Sequence, residues 1–112
     1  MDDGFYTITY VGSAGMGMST VLMEGGTVRG FDLIGGRLDG AYTRDSDGSL
    51  DFKVTLLVQA GYQLVTGLPA QERAFTVPLT ATVAKGASDG RPVTIMVAAG
   101  PVEASFRFMR GV

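Results

Sequence analysis

"SLDFKVTLLVQ", residues 49–59, sets Leu50, Phe52, Val54, Leu56 and Val58 against Asp51, Lys53, Thr55 and Gln59. Successive residues of an extended chain point to opposite sides, so this alternation belongs to a strand with one face in a core and the other in water. The pattern recurs. In "AFTVPLTATVA" (74–84) Phe75, Val77, Leu79, Ala81 and Val83 oppose Thr76, Pro78, Thr80 and Thr82. In "VEASFRFMR" (102–110) Val102, Ala104, Phe106 and Phe108 oppose Glu103, Ser105 and Arg107. Three such segments in 112 residues predict antiparallel β structure.

The glycines punctuate the rest. "GFYTITYVG" (4–12) reads as an aromatic and β-branched strand with Tyr6, Ile8 and Tyr10 on one face. "STVLME" (19–24) and "TVRGFDLI" (27–34) follow, joined by Gly25-Gly26, a two-residue hairpin signal. "RLDGAYTR" (37–44) and "VTIMVAA" (93–99) bring the number of predicted strands to about eight. Only "GLPAQERA" (67–74) suggests a helix, of a turn or two, with Pro69 suited to its start. The expectation is one all-β domain over residues 1–112, a small up-and-down barrel with at most one short helix. Gly30 and Gly40, inside predicted strands, mark expected bends.

Composition narrows the chemistry. With 46% hydrophobic residues and 18% charged the chain is built to fold, and a net charge of −2 gives no long-range attraction to phosphate, so nucleic acid is not an expected partner. Histidine and cysteine are absent. That removes disulfides, ordinary zinc sites, histidine-based triads and thiol nucleophiles, and no cofactor motif is present. The acidic start "MDDGFYTITY" has no basic or apolar leader, and no apolar run reaches membrane-spanning length, so a cytoplasmic protein with no membrane partner is expected.

"YTRDSDGSLDF" (42–52) alternates Asp45, Asp47, Ser49 and Asp51 in the manner of a calcium loop. Counted from Asp45, however, Leu50 and Leu56 occupy the positions where an EF-hand needs its glycine and its bidentate glutamate. Asp47-Gly48 between two alternating strands predicts a hairpin tip instead. "GSAGMGMS" (12–19) lacks the lysine and following helix of a phosphate loop and reads as a mobile loop. Glu24, Glu72, Glu103 and Asp39 read as solvated carboxylates, and Asp32, near a strand end after Gly30, as a turn cap. An enzyme is not expected; it would need a buried Asp or Glu facing a pocket beside Tyr6 or Tyr10. The six methionines read as core filler or as the lining of an adaptable cavity.

"VTIMVAA" is apolar on both faces, which a single-layer wall cannot satisfy without cover. The economical cover is a second copy, so a homodimer is expected with Val93, Thr94, Ile95, Met96, Val97 and Ala98 at its interface.

"DGFYTITY" (3–10), "VRGFD" (28–32) and "LDGAYTRDSDGSLDFKV" (38–54) together resemble the GrlR-type negative regulators of type III secretion gene expression. The resemblance implies a lipocalin-like eight-stranded barrel that dimerises and represses by sequestering a transcriptional activator through protein–protein contact. It places that family's acidic partner-binding tetrad on Arg44, Asp45, Ser46 and Asp47, where two of the four acids are kept and Arg44 brings the opposite charge. Two missing charges weaken steering and specificity first. The leading expectation is thus a non-enzymatic regulatory binding protein; the alternative is a carrier of a small apolar, lipid-like molecule inside the barrel.

Overall fold

The computed structural model describes residues 1–97 and 100–112. Eight strands run in chain order: β1 (Gly4–Gly12), β2 (Gly15–Glu24), β3 (Thr27–Asp32), β4 (Arg37–Arg44), β5 (Leu50–Val58), β6 (Phe75–Val83), β7 (Asp89–Val97) and β8 (Gly100–Arg110). Each pairs antiparallel with the next, and β1 closes on β8 through pairs such as Ile8↔Phe106 and Tyr10↔Ala104. The fold is therefore the all-β up-and-down barrel that the alternation predicts.

The inward residues are the predicted ones. Leu50, Phe52, Leu56 and Val58 of β5 are buried with Val77 and Val83 of β6 and Val102, Ala104 and Phe106 of β8. Phe108 keeps the face of its pairing partner Tyr6 but is exposed near the end of β8. The β1–β8 register shifts between Phe5 and Tyr6, and the Phe108 ring stands edge-on to Tyr6 at 5.4 Å. Outward positions carry Arg29, Asp39, Lys53, Glu103 and Arg107, all exposed.

Turn chemistry follows the glycines. Gly25 and Gly26 both have positive φ (60° and 84°) in the two-residue β2–β3 turn. That conformation matches strand twist and excludes ordinary side chains. Gly30 and Gly40 lie opposite Val21 and Val54, and a Cβ would stand 2.0 Å from the Thr20 carbonyl oxygen at Gly30 and 2.3 Å from that of Lys53 at Gly40. Neighbouring backbones cross these positions so closely that only glycine fits, as at a barrel corner.

Two expectations are corrected. Residues 67–74 form no helix: the Gly61 N–H donates to the Gln71 carbonyl and the Leu64 N–H to that of Leu68, so the segment is one arm of a folded loop spanning 59–74. "GSAGMGMS" is not a loop over its length, because β2 starts at Gly15 and only Ser13-Ala14 turn. Gly17 sits opposite Tyr10, and a Cβ there would meet the Tyr10 ring at 2.4 Å. Its lack of a side chain makes room for an aromatic ring.

Closure is uneven. β5 and β6 pair continuously from Leu50↔Val83 to Val58↔Phe75, whereas among the described residues β6 and β7 pair only at Leu79↔Val97 and Thr80↔Met96.

Candidate functional site

An up-and-down meander sorts its connections onto two ends. One end holds residues 1–3, the β2–β3 turn, the β4–β5 hairpin and the β6–β7 loop. The other holds the β1–β2 and β3–β4 turns and the 59–74 loop.

The first end is sealed. Tyr6, Met23, Leu50 and Val83 have no accessible surface, and Ala87 from the β6–β7 loop packs with them. Met1 packs against the same cluster. Its segment is held by the Tyr6 hydroxyl donating to the Asp2 carbonyl, by Tyr42 donating to Asp3 Oδ1 at 2.9 Å, and by Arg44 donating to the Met1 carbonyl at 2.9 Å.

Above that floor the barrel is hollow. A cavity of about 230 Å³ is walled by Ile8, Val21, Leu38, Val54, Leu79 and Ile95, with Met23, Phe52 and Phe106 toward its base. It opens at the second end, where Met16 (75% exposed), Leu33 (75%) and Ile34 (40%) form an apolar rim. The 59–74 loop bends over part of this mouth and buries Leu64 and Thr66. Pins hold it: the Ala14 N–H donates to the Val65 carbonyl at 2.7 Å, Ser13 Oγ to the Thr66 carbonyl at 2.9 Å, and Gln59 Nε2 to the Gly35 carbonyl at 3.2 Å.

One polar patch interrupts the apolar wall. Ser19, 3% exposed, donates to the Tyr10 hydroxyl oxygen at 3.2 Å, and burial, with a smaller contribution from the Asp32 charge, raises the Tyr10 pKa and keeps it a neutral phenol. Asp32, 5% exposed, lines the same cavity. Its Oδ1 accepts the N–H groups of Ile34 at 3.1 Å and Gly36 at 2.7 Å, so it is the turn cap expected from sequence. The carboxylate is also a buried acid in a pocket shared with Tyr10, the condition set for an enzyme. With Oδ1 committed to two backbone donors and Tyr10 neutral, the patch is equipped to orient a ligand's polar group by accepting and donating hydrogen bonds.

Asp32 as cavity wall, Ser19, and the 64–66 lid are the parts that sequence reasoning missed. The legible signal was parity: Asp32 shares the inward face with Val28, as Ser19 does with Val21. The methionines divide. Met16, Met18 and Met23 line the cavity, Met1 packs on the core, and Met96 and Met109 are exposed.

Arg44, Asp45, Ser46 and Asp47 lie at the sealed end, all exposed, in the predicted hairpin. The Gly48 N–H donates to the Asp45 carbonyl at 3.0 Å, and Gly48 then takes φ 86°. Hydrogen bonds from the Ser49 hydroxyl (2.6 Å) and N–H (2.9 Å) to Asp47 Oδ1 hold the Asp47 pKa below its ordinary value. Hydrogen bonding to the Asp51 carboxyl, reinforced by that group's charge, raises Asp45. Among the described residues no group of three or more acidic side chains is placed to hold a metal ion.

In β7, Val93, Ile95 and Val97 are half-buried, with Ile95 and Val97 lining the cavity, while Thr94 and Met96 face out and are exposed. Ala98, the last residue expected at a subunit contact, lies outside the described residues. Compared with known protein families and with curated proteins, the chain finds no match.

Proposed function

We propose that this protein binds one small apolar molecule in the barrel interior and performs no chemistry on it. The observation that carries the reading is the open cavity of about 230 Å³, apolar along its wall and at its rim, above a floor of fully buried side chains. Small-molecule pockets run from roughly 300 to 1,000 Å³, so this one suits a single short chain or ring and not a two-chain lipid. Burying eight methylenes contributes roughly 6 kcal/mol, which by itself corresponds to a Kd of about tens of micromolar, and the several kcal/mol that association costs move the affinity toward the millimolar range. Native mass spectrometry of the purified protein, with titration of a solvatochromic apolar dye, tests this. Bound mass or a saturable blue shift displaced by octanol is expected; neither appearing up to millimolar octanol sinks the reading.

A second reading, a regulator that engages a protein partner, is favoured by the hairpin tip, where Arg44, Asp45, Ser46 and Asp47 are exposed on a turn braced from within. In it two chains pair across β7, and the tip at the sealed end docks on a transcriptional regulator while the cavity stays free. A pull-down that loses nothing in Asp45→Ala/Asp47→Ala, or a single-chain mass in light scattering, removes the corresponding part.

A further inference from the structure

The cavity is lined by one acidic side chain, Asp32, and by no basic one to pair with it. The one ion pair among the described residues, Arg91–Asp89, lies on the exposed surface. A nine-tenths buried carboxylate without a cation is costly, because the interior screens and solvates charge poorly. Backbone donors satisfy only half of it. Oδ1 takes both the Ile34 and the Gly36 N–H, while Oδ2 has no hydrogen-bond partner among the described residues. Among those residues no fully buried side-chain polar atom lacks a partner, so Oδ2 retains some accessible surface, and Asp32 lines the cavity. Beside it, Ser19 satisfies the Tyr10 oxygen and leaves the phenol proton without a protein acceptor among the described residues.

We propose that the cavity selects a small amphiphile with a cationic amine head, the ammonium donating to Asp32 Oδ2 near the mouth and the apolar tail running down toward Met23 and Phe106. This deepens the carrier reading and rests on it. A carboxylate ligand would bring a second negative charge into the same low-dielectric space and is disfavoured. A neutral alcohol fits the tail site but leaves the charge unanswered. The head belongs at the rim because Asp32 ends β3, two residues before Ile34, whereas Tyr6, Met23 and Leu50 close the other end with no accessible surface.

The test compares octylammonium, octanol and octanoate on the full chain by calorimetry at neutral pH. Octylammonium is expected to bind at least about tenfold more tightly than octanoate, as a charge-assisted hydrogen bond in a dry site should provide. Asp32→Asn, which keeps a carbonyl oxygen for the Ile34 and Gly36 N–H groups, should bring the two within about threefold. Should that variant unfold, wild-type amide spectra decide instead: octylammonium must shift Ile34 and Gly36 more than octanol does. Equal affinity for octanoate and octylammonium, a preference that survives Asp32→Asn in folded protein, or unmoved Ile34 and Gly36 amides at saturation overturns the proposal. If octanol binds and charge is ignored, only this inference falls; if none of the three binds, the carrier reading falls as well.

Discussion

The two ends of the barrel are built from the same strands by opposite rules. At the sealed end large side chains meet across the axis, and the N-terminal residues are tied over them by Tyr6, Tyr42 and Arg44. At the open end the inward positions carry smaller or polar groups (Gly17, Ser19, Asp32), and a loop pinned mainly through backbone carbonyls does the covering. Stability is therefore concentrated at one pole and room for a ligand at the other. A close-packed interior resists any loss of volume, whereas residues at an apolar rim lose little on truncation because they are already half in water.

The contrast is sharpest in a pair of truncations. Leu50→Ala, at a position with no accessible surface, should cost about 2–5 kcal/mol, while Leu33→Ala at the rim should stay within about 0.5 kcal/mol; urea denaturation of both variants measures the difference. Similar losses would mean that the poles are not distinct. Next comes Gly17→Ala, whose methyl group would occupy space held by the Tyr10 ring. A loss of about 1–3 kcal/mol is expected from such overpacking, with dye affinity reduced because the ring must move against the cavity. Unchanged dye binding would show that Tyr10 does not shape the site.

The smallest effect concerns the Tyr10 hydroxyl. Tyr10→Phe leaves Ser19 without its partner and should cost about 1 kcal/mol at neutral pH. Tyr10 has its pKa raised by burial above the ordinary 10.0, so between those values the folded chain holds a proton that the unfolded chain has released. Stability should thus be level below pH 10 and decline as pH rises through the folded value. Tyr6 and Tyr42 are raised in the same direction at the sealed end, and their decline persists in Tyr10→Phe. An alkaline denaturation profile as steep in the variant as in the wild type would remove Tyr10 from that account.

What could be read in advance follows from how each part is encoded. β5 announces itself because Leu50, Phe52, Val54, Leu56 and Val58 recur at period two, and the wall they imply is the one observed. The start of β2 does not, because Gly15 and Gly17 have no side chains with which to alternate. Their structural use, a turn and a seat for Tyr10, depends on a strand elsewhere in the sequence. The 59–74 loop hid for a related reason: its hydrogen bonds run within itself and to residues 13, 14 and 35, distances over which local propensity is silent. Short helices are marginal on their own, and the loop's tertiary bonds outweighed Pro69. Asp32 was legible as a turn cap from its neighbours, but its second face became visible only once the strands enclosed a space.

The weak β6–β7 ladder has a consequence of its own. Seven seams of the cylinder are stitched along most of their length, and the eighth is fastened by Leu79↔Val97 and Thr80↔Met96 among the described residues. Hydrogen exchange should find the fastest-opening strand amides along that seam, within Ala81–Val83 and Val93–Ile95.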